Sequence, residues 1–185
     1  MAKLIYSMIT SVDGYVSDSD GNFNWGTPDQ ESHDFINGLM GSVGTYLYGR
    51  SMYQTMVFWE TAHQMPDAPQ FVVDYARTWQ AADKVVFSRT LEEVSSERTH
   101  LVREFDPAAV KALKDSREKD LTVDGPGLAE SALRAGLVDE VQLFVAPVAV
   151  GGGKRFLPDG LTLNLGLLEE RRFDSGLMYL RYAVR

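Results

Sequence analysis

The chain has 185 residues, 44% hydrophobic and 24% charged, with a formal net charge of −8; it is most simply one soluble domain large enough to bury a core. It has no cysteine, which excludes disulfides, thiolate metal sites and cysteine nucleophiles. The acidic balance argues against nucleic-acid backbones and anionic lipid, but leaves room for a small polyanion held by a few arginines.

The first strand is expected at 3–10 and is followed by "TSVDGYVS". "MAKLIYSMIT" lacks the basic start and cleavage site of a signal peptide, and no apolar run reaches membrane-span length, so the expected compartment is cytoplasmic. A helical pattern at 29–41 leads to a strand at 44–49, a short helix at 51–56 and a longer one at 69–81. Strands follow at 84–88 and 99–103, a helix at 107–117, a strand at 120–124, a helix at 126–136 and a strand at 139–147. Pro69 and Pro107 suit first-turn positions, and Asp106 suits an N-cap. Strands rich in Val, Leu and Ile that alternate with helices predict a three-layer α/β fold, mostly parallel, with helices on both faces. Two last strand-like runs flank Asp174-Ser175-Gly176 and predict a C-terminal antiparallel hairpin. In the second run Met178, Leu180, Tyr182 and Val184 alternate with more polar residues and predict one buried face. Such an edge hairpin also offers a surface to a second subunit.

Ligands of open α/β sheets collect at the carboxyl ends of the strands. There stand Gly49-Arg50-Ser51, Ser88-Arg89-Thr90 and Gly125-Pro126-Gly127-Leu128. The glycine turn fits a phosphate cradle, because bare backbone lets a ligand approach and the free amides of a helix start donate to an anion; on this motif alone an ordinary strand-to-helix turn accounts for it slightly better. It is no dinucleotide fingerprint, since Glu130 occupies the third glycine position. Two arginines at neighbouring strand ends, each beside a serine, suit a phosphate by forked hydrogen bonds and point to NADPH rather than NADH. Either arginine alone reads as a solvated surface residue.

With "TSVDGYVS", "YLYGRSMYQ", "KVVFSRTL", "LTVDGPGLAESALRAGLVDEVQLFVAPVAVGGGKRFL" and "RRFDSGLMYLRY" in this order, nearly the whole chain resembles the dihydrofolate reductase-like superfamily. Within it, the chain most resembles the reductase domain at the C-terminus of the bifunctional riboflavin-biosynthesis protein RibD. The resemblance implies an NADPH-dependent reductase of a pyrimidine- or pteridine-like ring. It assigns the 2′-phosphate and pyrophosphate to Gly49, Arg50 and Ser51, and the adenine ribose to Ser88 and Arg89. Gly125, Pro126, Gly127 and Leu128 would hold the pyrophosphate. Val12, Asp13 and Gly14 would lie near the nicotinamide and substrate.

The substrate side is open. Dihydrofolate reductases anchor the pterin with an acid of the first helix, and Asp29, Glu31 and Asp34 stand in that helix here; a solvated acidic face explains them as well. The candidate proton donors are Asp13, Glu31 and Asp34. Trp25 and Trp59 would wall a flat ring or cap the core. Lys154, with Arg155, would grip a substrate phosphate or stand free in a loop. Hydride transfer to a C=N or C=O carbon is the expected chemistry, with a broader pteridine or folate reductase and a non-catalytic NADPH sensor as the alternatives.

Overall fold

The computed structural model describes residues 1–185. Its strands are β1 Leu4–Ser11, β2 Tyr15–Ser17, β3 Val43–Gly49, β4 Asp83–Phe87, β5 Thr99–Val102, β6 Asp120–Asp124, β7 Glu140–Ala146, β8 Lys154–Arg155, β9 Leu165–Arg172 and β10 Met178–Val184. The helices are α1 Gln30–Met40, α2 Arg50–Met56, α3 Gln70–Ala81, α4 Pro107–Asp115 and α5 Pro126–Arg134. Eight strands form one sheet in the order β5-β4-β3-β6-β1-β7-β10-β9. The first six are parallel; β10 is antiparallel to both β7 and β9. The fold is the expected three-layer α/β architecture closed by a hairpin.

Period-two alternation divides the central strands between two cores. Leu4, Leu47, Leu121, Val123 and Val141 pack with Val110 of α4 and Ala129, Ala132 and Leu133 of α5. On the opposite face Tyr46, Tyr48 and Val86 meet Tyr75 and Trp79 of α3. There the buried Trp79 Nε1–H finds its acceptor in the Tyr48 hydroxyl at 2.9 Å, as a buried indole requires.

Local chemistry sets the helix starts. Asp29 caps α1 by accepting Ser32 N–H at 3.0 Å, and Asp106 caps α4 by accepting Ala108 N–H at 2.9 Å, with Pro107 next in line, which satisfies amides the helix leaves free. Pro69 sits one residue before α3, at its N-cap. The sequence pattern missed β2 and β8, which pair antiparallel as a separate two-stranded ribbon. No helix is long and apolar enough to cross a membrane.

One expectation is corrected. Of the alternating apolar residues of β10, only Val184 packs against a core; Met178, Leu180 and Tyr182 are half-buried and join none of the three clusters. The layer under α4 and α5 extends along the sheet to Val141 and Val184, so the hairpin beyond it keeps one side bare.

Candidate functional site

A cleft opens at the carboxyl ends of β3 and β6, lined by Gly49, Arg50, Ser51, Met52, Phe87, Asp124, Gly125, Gly127, Leu128 and Lys154. The glycine turn and Gly49-Arg50-Ser51 therefore meet as expected. Arg50 opens α2 and donates from Nη1 to Thr90 Oγ1 at 2.8 Å, which draws the Ser88-Arg89-Thr90 segment to the same rim.

The two glycines of the turn differ. Gly125 has φ +90°, and a Cβ there would meet Met52 Cβ at 3.1 Å, so the backbone itself demands glycine. Gly127 lies inside α5 without a left-handed φ, and a Cβ there would meet nothing within 4 Å. The fold does not ask for glycine at 127. What its absent side chain leaves is open access to the first turn, where the amides of Gly127 and Leu128 precede the first intrahelical bond, Ala129 N–H to Gly125 O. This bare helix start beside the Arg50 guanidinium fits a phosphate.

Arg89 and Ser88 are placed differently from the expectation. Ser88 is buried and its hydroxyl accepts the amides of Thr90 and Leu91, so it shapes the turn. Arg89 does not line the cleft; it pairs with Glu104 at 3.1 Å, both side chains more than 70% exposed. A pair so exposed contributes little and releases its arginine readily.

The acids named from the sequence stand outside the cleft. Asp13 accepts the amides of Val150 at 3.1 Å and Gly151 at 2.7 Å. The Ser11 hydroxyl first, and then these amides, hold its carboxyl below the usual range, the reverse of what a proton donor at neutral pH needs. Glu31 ties α1 to the hairpin, accepting Arg171 Nη2 at 3.0 Å and Asp174 N–H at 3.2 Å. Asp34 is exposed and makes no hydrogen bond or ion pair. Val12 and Gly14 form the loop after β1, with Val12 N–H donating to Val148 O and Gly14 N–H to Ser11 O. Neither tryptophan lines this cleft. Trp25 lies against the Phe144–Tyr179 cluster with its Nε1–H on Asn22 O, and Trp59 lies 4.4 Å from the Tyr75 ring.

The acid that does line the cleft is Asp124, which the sequence reading passed over. It is 8% exposed, accepts Thr122 Oγ1–H at 2.7 Å and pairs across the strands with Tyr48. Burial pushes its carboxyl up to about 7, against the Thr122 hydrogen bond, which pulls the other way. A carboxyl with that pKa exchanges a proton near neutrality. Next to it in the sheet, on β1 and β7, Ser7 is half-buried and pairs with Gln142, whose Oε1 is buried without a partner. Asp124 thus heads a row of polar groups on the α1 and α3 side of the sheet.

A mostly parallel three-layer sheet closed by an antiparallel hairpin, with its cleft at the carboxyl ends beside a glycine turn, defines the dihydrofolate reductase-like class. Residues 2–179 match the RibD C-terminal domain, and the chain belongs to that reductase family. It is 27% identical over 184 residues to the uncharacterized protein YyaP of Bacillus subtilis, covering 97% of this chain and 94% of that protein. Its fold is similar to that of a putative riboflavin biosynthesis protein from Shewanella sp. PV-4, with a TM-score of 0.76, 22% identity and coverage of 100% and 99% of the two chains. It is also similar to a diaminohydroxyphosphoribosylaminopyrimidine deaminase/5-amino-6-(5-phosphoribosylamino)uracil reductase from Thermotoga maritima, with a TM-score of 0.69 and 13% identity. The whole chain corresponds there to 57% of the longer protein.

Proposed function

We propose that this protein is an NADPH-dependent reductase of a pyrimidine- or pteridine-like ring, similar in reaction to the aminouracil reductase whose name the Thermotoga maritima protein carries. The observation that carries the reading is one cleft joining an open helix start, an arginine with no ion pair and a buried acid whose pKa is raised to about 7. In this reading the amides of Gly127 and Leu128 take the pyrophosphate, and Arg50 with Ser51 takes the 2′-phosphate. Arg89 closes over the nucleotide after leaving Glu104. Bound there, the reduced nicotinamide supplies the hydride. Asp124 holds the proton that balances it, a role its raised pKa suits at neutral pH.

The reading includes a homodimer. Leu165, Leu167 and Leu168 of β9 are exposed beside the half-buried Leu180 and Tyr182. Glu170 and Arg172 on the same side of β9 make no ion pair within the chain. A two-fold copy of this face would cover the leucines and set acid against base.

Thermal shift with NADPH and NADH tests the cofactor. A ligand at a hundred times its Kd adds about 2.7 kcal/mol, so NADPH should raise Tm well above NADH at equal concentration. Arg50→Ala should narrow that gap. Equal shifts for the two nucleotides, or a gap untouched by the substitution, would remove Arg50 from the 2′-phosphate.

A further inference from the structure

The loop after β1 and the segment after β7 are laced into one unit. Val12 N–H donates to Val148 O at 2.8 Å, and Phe156 N–H donates to Gly14 O at 2.9 Å. Phe156 is buried, stacked 4.3 Å from the Tyr6 ring, and its carbonyl accepts the Tyr6 hydroxyl. Between these anchors runs Gly151-Gly152-Gly153, a stretch with no side chain to pack and much backbone freedom to lose. Asp13 grips its start, through Val150 N–H and Gly151 N–H. Gly153 ends it, with φ +132° and so close to Ser17 O that a Cβ would lie 2.0 Å away.

The residue delivered by this arrangement is Lys154. It pairs with Ser17 in the β2–β8 ribbon and lines the cleft with Arg50, Ser51 and Gly127. Its neighbour Arg155 is committed elsewhere, to Asp159 at 3.4 Å and the Tyr15 ring. Lys154 makes no ion pair within the chain. An ammonium is a compact point charge, suited to a phosphate oxygen without forked geometry.

We propose that Asp13 is a positioning residue for Lys154: by clasping the amides of Val150 and Gly151 it takes up the slack of the glycine run and sets the ammonium at the cleft, where it binds a phosphate oxygen of the nucleotide. The proposal rests on the nucleotide reading above. The hydrogen bonds to Asp13 keep its carboxylate ionised at neutral pH, so the clasp is closed under ordinary conditions. Lys154 then belongs to cofactor recognition rather than to a substrate phosphate.

A double-mutant cycle on the Kd for NADPH, measured by nucleotide fluorescence at one fixed salt concentration, tests the coupling. Lys154→Ala should weaken binding about tenfold, the scale of one hydrogen bond to a charged group. Asp13→Asn should weaken it as well, although loss of a negative charge by itself would strengthen binding of an anion. On the Lys154→Ala background Asp13→Asn should change nothing further, since its effect runs through the missing ammonium. A general loss of loop stability would instead weaken binding equally on both backgrounds. Additive effects, tighter binding by Asp13→Asn, or an unchanged Kd in Lys154→Ala would each overturn the proposal. Wild-type protein that fails to bind NADPH would instead overturn the nucleotide reading beneath it.

Discussion

At Asp124, folding surrounds a carboxyl group with Thr122 and Tyr48 and leaves it 8% exposed. Its pKa near 7 has a thermodynamic consequence with a definite sign. In the unfolded chain an aspartate titrates near 3.9, so between about pH 4 and pH 7 the native state holds a proton that the unfolded state has lost. The stability linked to that proton is full below the unfolded pKa and is lost as pH rises through the folded one, at about 1.4 kcal/mol per unit. Asp124→Asn cannot ionise and escapes this loss. Melting curves should therefore show the variant gaining on wild type by several degrees between pH 5 and pH 8; a difference flat across that range would mean that the carboxyl is not buried as described. The same substitution should abolish turnover, and wild-type rate should fall above about pH 7 as the donor loses its proton. The linear sequence hides this residue. "LTVDGPG" contains it, but its distinction is burial, and the neighbouring strand β3 that pairs with it lies more than seventy positions earlier. Glu31 and Asp34 stand out in the letters because they are close in sequence, and neither lines the cleft.

At the scale of elements, capping residues and periodicity made the helices legible. Asp106-Pro107 and Gly125-Pro126 mark their starts in the letters themselves, and α4 and α5 begin there. The β2–β8 ribbon was not legible, because strands of three and two residues carry no period and their partner lies more than a hundred positions away. Helix α5 supplies a test of why glycine stands at 127. An alanine inside a helix is favoured over glycine by about 0.5–1 kcal/mol, and here its methyl group would meet nothing within 4 Å. Gly127→Ala should therefore raise Tm slightly without ligand while weakening NADPH binding at least tenfold, since the methyl group fills the approach to the free amides. Should the variant bind NADPH as wild type does, the helix start is not the phosphate site. Gly125→Ala makes a poor control, since its left-handed backbone would be strained with or without nucleotide.

For the whole molecule, the uneven covering of the sheet argues for assembly. Alternation along β10 specifies a buried face, yet within one chain Met178, Leu180 and Tyr182 stay half-exposed, and Leu167 and Leu168 of the edge strand are 53% and 51% exposed. A monomer with net charge −8 gains nothing from such a strip, whereas a stable dimer needs roughly 800 Å² of contact from each partner. The edge strand also carries its own complement, with Glu170 and Arg172 unpaired on the side where the leucines lie. Sedimentation equilibrium at micromolar concentration should give twice the chain mass of 20.6 kDa. Leu167→Glu should return it to the monomer mass with little loss of the fold, because the position is open to solvent in a single chain and belongs to none of the three core clusters. Since β9 lies at the far edge of the sheet from β3 and β6, the separated monomer should still bind NADPH with its original affinity. A wild-type protein that sediments as a monomer would mean that the apolar strip is covered by something other than a second copy.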